Sequence, residues 1–180
     1  MNKNKNIEVT RKWVQTVVID LNLCPFAQRE IVKESVRFTV SEANTEEQLL
    51  VDLSEELKLI EIDEQIETTL LIHPFVLENF DAFNQFLYFV DELLLNMNLE
   101  GVFQVANFHP HYQFADTEVE DVENFTNRSP YPMLHIIRES SLDKAIDSHP
   151  NTNLIPETNN QLMREMGPDK MKAMLRACFV

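Results

Sequence analysis

The sequence has 180 residues, of which 44% are hydrophobic and 25% charged, and these proportions are typical of a folded globular protein. Its length suits one domain with a full-sized core. Acidic residues outnumber basic residues by 30 to 15, which gives a formal net charge of -15. That excess argues against nucleic acid as a partner, because nucleic-acid recognition needs a basic face. We therefore expect one acidic domain over residues 1–180.

The amino-terminal segment M-N-K-N-K-N has basic residues but no apolar core after them, so we expect no secretory signal and expect residues 1–6 to be disordered. No apolar run is long enough to cross a membrane. The two cysteines, Cys24 and Cys178, are expected to be free thiols in the cytoplasm, since a chain of this size does not need a disulfide. Only two glycines are present, which excludes Gly-rich phosphate loops, and we predict no cofactor.

The amino-terminal third predicts two helices and a strand. Apolar residues recur at helical spacing over 7–21. Pro25 suits the first position of a second helix, with Cys24 before it as the N-cap. Residues 36–40 alternate between apolar and polar side chains, as in a strand with one buried face.

The middle of the chain predicts a helix, a strand and a long helix. Thr45 and Gln48 have the spacing of a capping box in front of the first of these helices. Residues 68–72, T-T-L-L-I, are apolar on both faces, which is typical of a strand that is covered on two sides. Residues 83–97 keep helical spacing, and Gly101 lies close to the position of a C-cap.

Two further strands, 102–108 and 133–138, flank a long connection. This connection, residues 109–132, is about twice the usual length, so we interpret it as a binding loop or lid. Residues 140–146 predict a short helix, and two helical segments follow Pro156.

Strands that alternate with helices predict a single-domain layered α/β fold. We expect about four strands in a mostly parallel or mixed sheet with flanking helices, and at least three parallel strands. His73, His109 and Arg138 each lie at the end of a predicted strand. Ligands bind outside the carboxyl ends of the strands in such sheets, so parallel strands would place these three side chains at one edge.

Four motifs together resemble an uncharacterised bacterial family known only as a domain of unknown function: N-L-C-P-F-A, T-T-L-L-I-H-P, F-H-P-H-Y-Q-F-A and T-N-R-S-P-Y-P-M-L-H-I-I-R-E. The resemblance extends from about Thr10 to the final helix. It implies a stand-alone cytoplasmic protein and no established activity or catalytic role. His111 departs from the family's pattern, and the matching residues are Cys24, Pro25, His73, His109, Tyr112, Asn127, Arg128, Tyr131, Pro132 and Arg138.

Cys24 at a helix start is a candidate nucleophile or redox thiol, because a helix N-terminus favours the thiolate and lowers the pKa. On that hypothesis Cys24 is alkylated faster than Cys178. The alternative is a small buried apolar residue between Leu23 and Phe26.

His109 and His111 are two residues apart, so on an extended backbone both face the same way and could hold one metal ion, with Cys24 as a third ligand of Zn or Fe. The alternative is that Pro110 sets a turn and a histidine caps the strand end. His73 and His135 lie at the end of, or inside, apolar strands, where a hydrogen-bonded structural imidazole is the commoner outcome.

Arg128 is a candidate clamp for a carboxylate or phosphate, since a guanidinium binds both in bidentate geometry. Equally, it could pair with one of the loop's own acids, Asp116, Glu118 or Asp121. Tyr112 and Tyr131 offer further donors, or act as aromatic plugs over the core.

The leading hypothesis is a small cytoplasmic enzyme of thiol or acid-base type that acts on a small anionic metabolite. Cys24 would be the nucleophile and His109 the base, and the substrate would be bound by Arg128, Asn127, Tyr131, Tyr112, His73 and Arg138. This hypothesis requires Cys24, His109 and Arg128 to converge on one pocket. A metal-binding protein that uses His109 and His111, and a non-catalytic binding or regulatory module, remain open alternatives. Neither the substrate nor the oligomeric state is predicted.

Overall fold

A four-stranded mixed sheet forms the centre of the fold. The computed structural model describes residues 3–148 and 151–180. Its strands are β1 (Val36–Val40), β2 (Thr68–Ile72), β3 (Phe103–Phe108) and β4 (Met133–Arg138), in the spatial order β1-β2-β4-β3. β1 and β2 are parallel, whereas β4 is antiparallel to both β2 and β3. The predicted α/β class with a four-stranded sheet is confirmed.

The predicted three parallel strands are present in direction, since β1, β2 and β3 run the same way. Only β1 and β2 are hydrogen-bonded as a parallel pair among the described strands, because β4 lies between β2 and β3 and runs opposite to both. The chain passes from β3 to β4 through the connection 109–132 without a crossover helix, so β4 returns antiparallel and enters the sheet between β2 and β3. His73 after β2 and His109 after β3 therefore share one edge of the sheet. Arg138 at the end of β4 lies at the opposite edge.

Helices cover both faces of the sheet. The helices of the described chain are α1 (Lys3–Trp13), α2 (Ala27–Val32), α3 (Glu46–Ile62), α4 (Phe80–Asn96), α5 (Glu139–Ser148), α6 (Ile155–Met166) and α7 (Pro168–Ala177). One face packs against α3 and α4, and the other packs against α1, α6 and α7. A π-helical segment, Val14–Ile19, continues α1, and short 3-10 turns lie at Val122–Thr126 and Thr152–Leu154.

The apolar spacing of α3 explains how that helix docks on the sheet. Leu49, Leu53 and Leu57 recur every four residues, and all three are fully buried beside Phe83 of α4. The Thr45 hydroxyl accepts a hydrogen bond from the Gln48 backbone N–H at 3.3 Å, as predicted. The Gln48 amide oxygen accepts from the Asn44 N–H rather than from that of Thr45.

The amino-terminal region differs from the sequence prediction in two places. Residues 3–6, for which we expected disorder, begin α1, while residues 1 and 2 lie outside the described residues. The second helix begins at Ala27 rather than at Pro25, because the chain makes a turn in which the Ala27 N–H donates to the Cys24 carbonyl at 3.2 Å.

Within residues 3–148 and 151–180, no helix combines the length and the apolarity that crossing a bilayer requires.

Candidate functional site

An apolar cavity of about 280 Å³ lies on the α1 face of the sheet. Its floor is made by alternate side chains of the strands, which point to the same face because the side-chain period of a strand is two. These floor residues are Val36, Thr68, Leu70, Ala106, Phe108, His135 and Ile137. The strands thus present a mostly apolar surface with one imidazole and one hydroxyl.

The walls of the cavity come from the π-helical segment, the turn before α2, and α5. Val14 and Val18 line it from the first, together with Trp13 at the end of α1, while Cys24 lines it from the second and Leu142 from the third. The edge of the Trp13 ring meets Phe108 with 5.2 Å between ring centroids. π-helical segments are rare and occur often at functional sites, so the position of this one beside the cavity is itself an indication of function.

Two polar atoms of cavity residues are buried without a hydrogen-bond partner in the part of the chain that the structure describes. They are Nε1 of Trp13 and Oε1 of Glu67. Trp13 as a whole is only 1% exposed. Leaving such a group unpaired costs about 1–3 kcal/mol, so buried polar atoms in folded proteins are nearly always paired.

His135 adds an acceptor to this cavity. The Thr68 hydroxyl donates its single proton to the Ile136 carbonyl at 2.6 Å, so it accepts from Nε2–H of His135, also at 2.6 Å. The neutral ring then carries its lone pair on Nδ1. Burial lowers the pKa of His135 to about 4, which keeps the ring neutral at physiological pH.

Cys24 lines the same cavity as a free, half-buried thiol. Burial raises its pKa, against a smaller opposing effect of hydrogen bonds from the backbone N–H groups of Phe26 and Ala27. The expected contact with donors at a helix start is therefore present. The expected direction of the pKa shift is wrong, because desolvation of the thiolate outweighs these two hydrogen bonds.

His109 is a buried structural imidazole whose two nitrogens are both engaged. Nδ1 accepts from the His111 backbone N–H at 3.0 Å, so the proton is on Nε2, which donates to the Leu77 carbonyl at 3.1 Å. The ring packs against Phe80 and Phe83, and its pKa is lowered to about 4, mainly by burial. His109 thus has no free nitrogen for proton transfer or for a metal ion.

His73 lies at the same edge of the sheet and also contacts Phe83, with 5.5 Å between ring centroids. Its Nδ1–H donates to the Val76 carbonyl at 3.1 Å, and Nε2 is buried without a partner among the described residues. Burial lowers its pKa to about 4. His111, the second histidine of the predicted metal pair, is exposed.

Arg128 holds together parts of the connection 109–132 through hydrogen bonds to backbone carbonyls of the same segment. Its Nε donates to the Tyr112 carbonyl at 3.1 Å, its Nη2 donates to the Val119 carbonyl at 2.6 Å, and the guanidinium lies 4.6 Å from the Phe125 ring centroid. Within the described chain Arg128 binds these backbone carbonyls and forms no ion pair with Asp116, Glu118 or Asp121. Its role as an anion clamp stays a prediction.

The remaining predicted substrate-binding residues have structural contacts of their own. The Asn127 amide donates to the Asn107 carbonyl at 3.4 Å, and Tyr131 meets Phe179 edge to face. Tyr112 packs between Phe80 and Phe114. Arg138 donates to the carbonyls of Ile60, Asp63 and Ile66, which caps the carboxyl end of α3 at the far edge of the sheet.

The structure does not bring the predicted catalytic residues Cys24 and His109 together with the predicted anion anchor Arg128. Cys24 lines the cavity, and neither His109 nor Arg128 does. Sequence reasoning missed Trp13 and Glu67, and it treated His135 as a structural residue. Two features of the sequence could have indicated this cavity. His135 is a polar residue inside the apolar strand β4, and the acid Glu67 comes directly before the apolar strand β2. Within the described residues, no group of three or more His, Cys, Asp or Glu side chains is arranged to hold a metal ion.

These features define an α/β protein with an apolar cavity between its sheet and the π-helical continuation of its first helix. The chain belongs to the family described as "Protein of unknown function (DUF1415)", whose model matches residues 5–173. The resemblance drawn from the four motifs is thereby confirmed. No curated protein matches the chain, and no solved structure does.

Proposed function

We propose that this protein binds a small, mainly apolar molecule in the cavity beside Cys24. The observation that carries the proposal is the cavity itself, about 280 Å³ of space that is lined mainly by apolar side chains and into which Cys24, Glu67 and His135 bring a few polar groups. Ligand sites are typically apolar clefts with a few converging polar groups. Apolar walls favour burial of a ligand's hydrocarbon by about 0.8 kcal/mol for each CH₂ group.

The second candidate is thiol or acid-base chemistry on the bound molecule. It is favoured by one observation, that Cys24 and His135 line the same cavity. In this role the Cys24 sulfur would add to the β-carbon of an α,β-unsaturated carbonyl ligand. The C=C π pair would move to the α-carbon, which would take the thiol proton by way of Nδ1 of His135, so that no group leaves. The proposed base is therefore His135 instead of His109, whose nitrogens both have hydrogen bonds. Alkylated Cys24 after incubation with an electrophilic ligand would support this role.

The chemistry of the cavity favours a neutral or cationic molecule over the anionic metabolite that we expected. Its charged lining residues are Glu30 and Glu67, and the described lining contains no Lys or Arg. Arg128, the expected anion anchor, is occupied by two carbonyls. A cytoplasmic location is part of the proposal and rests on the two free thiols.

Calorimetric titration with cyclohexylmethanol, a neutral apolar probe, tests the proposal. Ala106→Leu places three additional carbon atoms on the cavity floor and should abolish binding. Ala115→Leu, at an exposed position in the connection 109–132, makes the same chemical change away from the cavity and should leave the affinity unchanged. Equal affinities for the two variants, or no binding to the unaltered protein, would contradict the proposal.

A further inference from the structure

We propose that the cavity selects a ligand whose apolar body carries an amine or another N–H donor, which the Glu67 carboxylate binds. This inference rests on the proposed binding function and names the class of molecule that the site takes. It follows from the state of the two carboxylates that line the cavity, which differ in whether their oxygens are already engaged.

Glu30 is satisfied by groups of its own region. Its Oε2 accepts from the Ser35 hydroxyl at 2.8 Å, and its Oε1 lies 3.0 Å from Nε of Arg29 and 3.5 Å from Nζ of Lys33. A ligand cation would therefore compete with two cations and a hydroxyl at this carboxylate. Glu30 contributes negative potential to the cavity but no free acceptor.

The side chain of Glu67, unlike that of Glu30, has an oxygen without a hydrogen-bond partner among the described residues. Its Oε1 is buried, and neither a hydrogen bond nor an ion pair reaches it from the described residues. The Glu67 backbone is held in place, since its N–H donates to the Ser35 carbonyl at 2.9 Å at the start of β2. A buried carboxylate oxygen without a donor is costly, and a charged or neutral N–H group is the partner that removes the cost.

His135 adds a second hydrogen-bond acceptor to the cavity, beside the Glu67 carboxylate. His135 offers a lone pair on Nδ1, since its Nε2–H is bound to Thr68. The cavity thus presents two acceptors, the Glu67 carboxylate and Nδ1 of His135, and these match the N–H groups of an amine or amide and disfavour a carboxylate.

Three probes with one apolar body separate these classes: cyclohexylmethylamine, cyclohexylmethanol and cyclohexanecarboxylate. Calorimetry at high ionic strength screens the long-range attraction of this acidic chain for cations. We expect the amine to bind at least about tenfold more tightly than the carboxylate, as one charge-assisted hydrogen bond gives. Glu67→Gln should remove this preference while the alcohol still binds. Glu30→Gln makes the same charge change and should preserve the preference.

The outcomes are distinct for the two proposals. Failure of all three probes to bind would remove the proposed binding function itself. Binding in which the carboxylate equals or exceeds the amine would overturn the inference about ligand class and leave the binding function standing. Retention of the amine preference in Glu67→Gln would overturn it as well, and should that variant not fold, the wild-type order of the three probes still decides.

Discussion

Nε2–H of His135 on β4 donates to the hydroxyl of Thr68 on the neighbouring strand β2, and the two atoms are 2.6 Å apart. Because the same hydroxyl donates to the Ile136 carbonyl, this pair fixes both the tautomer and the position of the imidazole on the cavity floor. The polar character of an otherwise apolar floor thus depends on one threonine.

Thr68→Val should lower the free energy of unfolding by about 1–3 kcal/mol, because it leaves the His135 N–H buried without an acceptor. Thr39→Val on β1 is a matched control, since the Thr39 hydroxyl has no hydrogen bond within the described chain. Urea denaturation of both variants measures the difference. Equal losses of stability would mean that the Thr68 hydroxyl has no special role.

Stability should decrease as the pH falls from about 6.5 toward 5. The pKa values of His73, His109 and His135 are each lowered to about 4, chiefly by burial. In this window the unfolded chain binds a proton on each histidine and the folded chain does not, so the unfolded state gains protons and stability is lost. Each histidine makes the free energy of unfolding fall by about 1.4 kcal/mol for each pH unit in this window. Above about pH 6.5 the stabilisation from the neutral histidines is fully present.

Urea midpoints measured between pH 7 and pH 5 check this dependence. The pKa values of Glu47 and Glu123 are lowered from 4.5, so these two carboxylates stay ionised throughout this pH range and do not affect the slope. His73→Gln keeps a donor for the Val76 carbonyl and should reduce the slope by about a third, because one of the three histidines is removed. If the stability of the unaltered protein does not change between pH 7 and pH 5, the imidazoles are not buried in the neutral form.

Cys24 should react slowly with iodoacetamide at neutral pH, and a bound ligand should slow it further. Burial raises the pKa of this thiol, so the thiolate fraction at pH 7 is smaller than that of an ordinary cysteine. Cys178 is also buried with a raised pKa, but it does not line the cavity. Mass spectrometry of each cysteine, with and without cyclohexylmethanol, should show protection of Cys24 alone. Equal protection of both would indicate global stabilisation instead.

Arg128→Lys should loosen the connection 109–132 without changing the affinity of the cavity. The lysine cannot donate to two carbonyls in the fixed geometry of a guanidinium while it lies over Phe125. Hydrogen exchange of residues 109–132 should become faster. Loss of probe binding with unchanged exchange would contradict the view that Arg128 holds the connection and is separate from the cavity.

Local patterns in the sequence were sufficient for most of the secondary structure. The bounds of β1, β2 and β4 follow from alternation and from apolar runs, and the capping residue Thr45 identifies the start of α3. The direction of β4 was not predictable in this way, since it depends on how the long connection 109–132 folds back and not on the residues of the strand.

The site was less predictable than the fold because hydrogen-bond partners are not encoded by spacing. His109 and Arg128 have the residue types of a catalytic site, but their partners are backbone carbonyls that the turn geometry of the connection brings to them. Trp13 was visible only as part of a helical apolar stripe. That its indole N–H would be buried without a partner depends on the tertiary packing around the ring, which includes the edge-to-face contact with Phe108 of β3.

The fluorescence of Trp13, the single tryptophan of the chain, tests most directly whether the cavity is a binding site. Its indole lines the cavity, so a molecule that binds there should shift the emission saturably, with the same midpoint that calorimetry gives. We predict such a shift with cyclohexylmethanol for the unaltered protein and for Ala115→Leu, and none for Ala106→Leu. Calorimetric binding that leaves the emission of Trp13 unchanged would place the ligand elsewhere and contradict the central claim.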